Sequence, residues 1–197
     1  MTATNGNVDI ISANGILINN ATAELQAGNG DVTLRSHGKL ENYGDVTAYG
    51  NVVINSRFAN VNNAGNLTAE TQDVSITAST SVENYGMLTA TGGNARIDAG
   101  TTVNNIADIK AGQNVNITAV ENVENNGKMT AIAGDASIDA GTTVNNTGVM
   151  TAGINASITA NSNIDNEGAM TATGGNASIN AGTTVDNTGV MTAGTNA

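Results

Sequence analysis

Val144-Asn145-Asn146-Thr147-Gly148 is one copy of a phrase that returns along the whole chain. Earlier copies read Leu40-Glu41-Asn42-Tyr43-Gly44, Val61-Asn62-Asn63-Ala64-Gly65 and Val82-Glu83-Asn84-Tyr85-Gly86. Others are Val103-Asn104-Asn105, Val123-Glu124-Asn125-Asn126-Gly127, Ile164-Asp165-Asn166-Glu167-Gly168 and Val185-Asp186-Asn187-Thr188-Gly189, with Ile18-Asn19-Asn20 as an early form. The third residue is always Asn: Asn20, Asn42, Asn63, Asn84, Asn105, Asn125, Asn146, Asn166 and Asn187. The mean interval of about 21 residues is the signature of a stacked repeat.

The residues around the phrase define the repeat unit. From Asn155 onward, Ala156, Ile158 and Ala160 alternate with Ser157 and Thr159; Ile164 and Asn166 flank Asp165; Met170 and Ala172 flank Thr171. Alternation with period two puts the apolar set on one face of an extended chain and the polar set on the other. Three strands of about four residues, separated by Gly, Asn and Ser, leave no segment long enough for a helix. Such a rung cannot bury its own apolar face. Stacked on its neighbour at about 4.8 Å it pairs every strand in register and closes a continuous interior. The expected fold is therefore all-β: a parallel β-helix, or β-solenoid, of about nine rungs of 20–21 residues with three short strands per rung.

Three apolar columns support this reading. The first strand supplies Leu34, Ile54, Ile76, Ile97, Ile117, Ile138, Ile158 and Ile179. The second supplies Val61, Val82, Val103, Val123, Val144, Ile164 and Val185. The third supplies Leu25, Val46, Leu67, Leu88, Ile109, Met129, Met150, Met170 and Met191, each followed by one residue and then Ala.

Composition agrees with a narrow core. The 197 residues include 24 Gly, no Pro, Cys or Trp, and 2% aromatic residues, where a wide globular core would draw on Phe, Trp and Leu. A formal charge of -11 argues against a nucleic-acid partner, which needs clustered Lys and Arg. No basic-then-apolar leader is visible at Met1-Thr2-Ala3-Thr4-Asn5, and no apolar run approaches the ~18 residues of a membrane span.

The array reads as a single unit over residues 1–197, in two parts. Residues 1–70 hold irregular rungs; residues 71–197 hold near-identical paired rungs, in which Gly100-Thr101-Thr102-Val103-Asn104-Asn105 recurs at Gly141 and Gly182, 41 residues apart each time. Asp98 and Asp139 therefore fall two rungs apart, at about 9.6 Å, with Thr between them. The sequence stops mid-strand at Gly194-Thr195-Asn196-Ala197, which reads as a fragment of a longer array or as an end covered by other copies.

The rung pattern, apolar-x-Ala followed by Val-x-Asn-x-Gly-x-apolar-Thr-Ala, resembles the haemagglutinin-type repeats of filamentous haemagglutinin-like exoproteins of two-partner secretion. That group includes adhesins and contact-dependent inhibition proteins. The resemblance covers essentially the whole chain, as in Val123-Glu124-Asn125-Asn126-Gly127-Lys128-Met129-Thr130-Ala131. It implies a right-handed coil, secretion to the surface of a Gram-negative cell, and a rod that holds an adhesive or toxic tip away from that cell. The implied partners are flanking rungs of the parent chain, other copies of itself, or a receptor on a host or neighbouring cell. The family's secretion domain is not recognisable in this segment.

Candidate chemistry is sparse. The Asn column suits a bend in which the amide bonds to backbone, and stacked amides can form a ladder. The alternative for exposed amides is carbohydrate binding. An outward Thr file (Thr47, Thr68, Thr89, Thr130, Thr151, Thr171, Thr192) is interrupted by Lys110 and gives a minor ice-binding alternative. Met129, Met150, Met170 and Met191 suit core filling better than a soft-metal path, as no Cys or His joins them. Asp98 and Asp139 lack the converging oxygens that calcium needs. His37, the single His, has no nucleophile and orienting acid in its pattern, so neither a catalytic site nor a cofactor is expected. Asn-x-Ser/Thr sequons at Asn20, Asn66, Asn116, Asn145, Asn155 and Asn176 are frequent in so Asn-rich a chain. Any direct contact with a partner falls on the irregular rungs, where Arg35, His37, Tyr43, Tyr49, Arg57 and Phe58 break the uniform surface. The expected role is a non-enzymatic rod, with end-to-end filament assembly as the alternative.

Overall fold

A computed structural model describes residues 1–196, and every regular element among them is a β-strand. The strands form three parallel sheets of nine, nine and ten strands, each rung contributing one strand to each sheet. The first sheet runs from Val8–Ser12 to Ala177–Ala181, the second from Leu17–Asn19 to Thr184–Asn187, and the third from Thr2–Ala3 to Met191–Ala193. The chain is a β-solenoid of about nine turns.

Like stacks on like. In the first sheet Ile138 pairs with Ile158 and Ile158 with Ile179; in the second Val123 pairs with Val144 and Val144 with Ile164; in the third Met129, Met150 and Met170 follow one another. Strands of two to five residues keep this register because a slip of one residue would turn every apolar side chain outward. The three columns meet in one interior, where Leu34, Ile54, Leu67, Leu88, Ile117 and Met150 are fully buried. Ala69, Ala90, Ala111, Ala131 and Ala152 end the third-sheet strands and are also fully buried or nearly so. Alternation holds rung by rung: in Ala156–Ala160 the inward residues are buried and Ser157 and Thr159 only half-covered. In the last described rung Ile179 and Met191 are partly covered and Val185 is 45% exposed.

One position of the Asn column is corrected. Asn20 is exposed and lies outside the strand, and the inward residues of the first rung are Leu17 and Asn19, which pair with Leu40 and Asn42. Four residues, 20–23, separate Asn19 from the next strand, where two (Tyr43 and Gly44) follow Asn42. The longer bend closes with an Ala23 N–H to Asn20 carbonyl bond of 2.8 Å. Ile18-Asn19-Asn20 imitates the Val-x-Asn phrase, but Leu17 takes the apolar place, so the whole triplet reads one residue earlier.

Candidate functional site

The Asn column is a continuous internal ladder. Asn42, Asn63, Asn84, Asn105, Asn125, Asn146 and Asn166 are all 0% exposed. Each Nδ2 donates to the Oδ1 of the Asn in the next rung, from Asn19 through to Asn187, at 2.7–2.8 Å. From Asn105 onward the same Nδ2 also donates within its rung, as from Asn146 to the Gly148 carbonyl at 3.2 Å. The backbone carbonyl of Asn125 meanwhile accepts from both Thr147 and Gly148 N–H groups at 3.0 Å. The side chain thus satisfies a bend whose polar groups would otherwise be buried unpaired. With its amide sealed inside, this column is not a surface for ligands.

Gly closes the phrase for reasons of room. No Gly among the described residues has positive φ, but a Cβ on Gly148 would collide with the carbonyl oxygen of Gly127 in the rung below. Ala107 stands in this column, and there the N–H to Asn84 carbonyl distance stretches to 3.4 Å, against 3.0 Å at Gly148.

A second ladder was not anticipated from sequence. Asn7, Asp31, Asn51, Asp73, Asn94, Asn114, Asp135, Asn155 and Asn176 each stand one residue before a first-sheet strand. The Oδ1 of each of the first eight accepts the backbone N–H of the next member at 2.6–3.1 Å. Acceptance needs only an oxygen, so Asp and Asn serve alike, and this mixture hides the period. Its readable trace is the Asn/Asp-before-Val/Ala pair, with no two Asp in adjacent rungs, where like charges would repel.

The outward surface separates the candidate contact residues. Arg35 and His37 belong to the first sheet and the bend after it; Arg57 and Phe58 occupy the same corner one rung on. Arg35, His37 and Arg57 line one hollow with Ile11, Ser12 and Asn55, with a volume of about 190 Å³. The His37 and Phe58 rings lie 4.6 Å apart at 52°, and the Arg57 guanidinium carbon sits 5.0 Å from the Phe58 ring centre. Tyr43 follows a second-sheet strand and Tyr49 a third-sheet strand, so both stand at other corners. Four of the six residues come together and two do not.

Two charge pairs stand elsewhere on the described surface. Lys39 meets Glu41, whose hydrogen bond and charge raise the Lys39 pKa above its ordinary value. Arg96 meets Asp98, and the hydrogen bond to that carboxylate raises the Arg96 pKa in the same way. The Glu83 charge beside Tyr85 pushes the phenol pKa up. In the third sheet each Thr of the outward file from Thr47 to Thr171 stands between two buried neighbours in a strand of three or four residues, and Thr192 between two partly covered ones, so the file is one residue wide. Thr91 and Thr173, the second members of Thr-Ala-Thr, lie in bends beyond the strand.

No family model, no curated protein and no solved structure matches this chain.

Proposed function

We propose that the chain is a shaft segment of a secreted, surface-displayed adhesin or contact-dependent inhibition exoprotein, with a mechanical and not a catalytic role. The observation that carries this reading is continuity of register. Cα partners run unbroken from Leu17 to Val185 in the second sheet, and the other two sheets do the same. Three backbone ladders, three apolar columns and two side-chain ladders all point along one axis, so bending requires many bonds to strain together. Nine or so rungs give about 43 Å of stiff reach, and each added rung extends it. The rung pattern quoted above supports the exoprotein assignment. Electron microscopy of the parent protein tests the role: these rungs should lie in a thin shaft, and finding them folded into a compact globule would refute it.

End-to-end assembly is the second reading, and the like-on-like register of successive rungs favours it, since one rung fits the next throughout the stack. Light scattering across a dilution series separates the cases, because a monodisperse monomer at high concentration removes self-assembly.

A further inference from the structure

We propose that the corner built by Arg35, His37, Arg57 and Phe58 is a binding site for a carboxylate-bearing sugar. The site does not rest on the shaft reading, since it needs the stacked rungs and not the role they play.

The first support is unspent positive charge. Among the described residues the ion pairs within 4 Å are Lys39–Glu41 and Arg96–Asp98, and neither takes Arg35 or Arg57. Asp9, on the same outward face two residues before Ile11, lies outside ion-pairing distance of both guanidinium groups. Arg35 is paired at Cα with Ile11 on one side and Asn55 on the other, and the backbone ladder continues so that His37 stacks on Arg57. Two arginines thus stand on adjacent rungs, about 4.8 Å apart along the axis and two positions apart along the strand direction, in a chain whose formal charge is -11. A planar fork matches a carboxylate through paired N–H donors.

The second support is apolar surface beside those donors. Ile11 lines the hollow and is 64% exposed, while Phe58, the one Phe of the chain and 58% exposed, does not line it but lies against His37 and Arg57, which do. Folding gains little from either in that position. A sugar ring has C–H faces that pack on an aromatic or aliphatic side chain and hydroxyls that bond to groups such as the His37 imidazole and Asn55 amide. The hollow of about 190 Å³ suits one ring and not a polymer bound along its length. A nucleic acid or other polyanion needs a track of cations, whereas the column beyond Arg35 continues with Asn55, Thr77 and Asp98.

The third support is that the corner is braced only here. The Ser36 hydroxyl donates to the Gly15 carbonyl at 2.7 Å and lies 3.1 Å from the Lys39 carbonyl, and the Ser56 hydroxyl donates to the Gly38 carbonyl at 2.7 Å. Both serines are buried, and together they tie down the bend that carries His37. From Ala78 onward the same inward position is Ala in every rung, where no such cluster exists.

Calorimetric titration of the chain with trigalacturonate, and with its methyl ester as the uncharged control, tests the assignment. The acid should bind and the ester should bind at least about tenfold more weakly. Arg35→Gln and Arg57→Gln should each weaken binding about tenfold, the usual scale for a charged hydrogen bond. Phe58→Ala should weaken it several-fold, and added salt should weaken it further. Melting curves matching the parent show that the variants fold. If Arg57→Gln melts early, Arg57→Lys keeps the charge, loses the fork and should still bind less well. Equal binding of the ester, binding indifferent to both arginines, or no binding overturns the proposal. So does inorganic phosphate that displaces the trisaccharide at equal affinity, which would reduce the corner to a simple anion site. None of these results bears on the shaft, which the electron microscopy decides.

Discussion

The rungs within residues 1–70 and those after them share one interior and differ outside it. Leu40 and Val61 occupy the same column as Val144 and Ile164, and Asn42 and Asn63 the same ladder as Asn146 and Asn166. Outward, the early rungs present Arg35, His37, Tyr43, Tyr49, Arg57 and Phe58, while the later ones present mostly Ser, Thr, Asn and Asp on the strand faces and single exposed apolar residues such as Tyr85, Ile106, Val120 and Ile132 in the bends. The early rungs also vary in length: Val8 pairs with Val32, 24 residues on, whereas Ala136 pairs with Ala156 at 20 and Ala156 with Ala177 at 21. Inward positions are constrained from three sides, by the rungs above and below and by the facing sheets. Outward positions meet only solvent and lateral neighbours. Variation therefore collects where it does not cost the coil its register, and that is where a ligand could be met.

The largest test of this contrast places a charge in both interiors. Val144→Asp and Leu40→Asp should each cost several kcal/mol, because each buries a carboxylate with no partner. Thermal melting reads the loss, and a mild effect at Leu40 alone would mean that the early rungs do not share the later core. Next in size are the ladders. Asn146→Ala and Asn42→Ala each strand buried polar groups and should cost about 1–3 kcal/mol, with hydrogen exchange rising first at the neighbouring bends, around Gly148 and Gly44. Gly148→Ala should cost about 1–3 kcal/mol as the rungs are pushed apart. The reverse change, Ala107→Gly, should leave stability within about 1 kcal/mol, since room gained there offsets chain freedom. Ser56→Ala, which gives an early rung the residue of a later one, should lose about 1 kcal/mol and loosen the His37 bend in particular. The smallest effect is expected outside: Thr151→Lys copies Lys110 in the same file and should stay within about 0.5 kcal/mol. A large loss there would contradict the separation of inside from outside.

Legibility followed the same division. The coil, its three columns and the inward Asn were readable because each depends on residues repeated at a fixed interval, and stacking places repeated residues on one another. Asn20 was misread for a related reason: its triplet copies the phrase while the bend of residues 20–23 changes the phase, and phase is settled by which residue fits the interior, Leu17 or Ile18. The Asn/Asp ladder stayed hidden because its function needs an acceptor oxygen and not one residue type. The basic corner was only half readable. Irregular residues could be noticed in sequence, but whether Tyr43 and Tyr49 join Arg35 and Phe58 depends on which corner of the coil each bend occupies.

By itself the sequence determined that this chain stacks: period-two alternation, an interval near 21 residues and a column of Asn before Gly admit one way to bury the apolar face. Only the tertiary structure decided which side chains become neighbours across rungs. Arg35 and Arg57 are 22 positions apart in sequence and line one hollow, because parallel pairing lays each rung on the last. Asn125 and Asn146 form a buried bond for the same reason. Proximity along the axis is a property of the stack, set by bend length and register, and no single rung contains it.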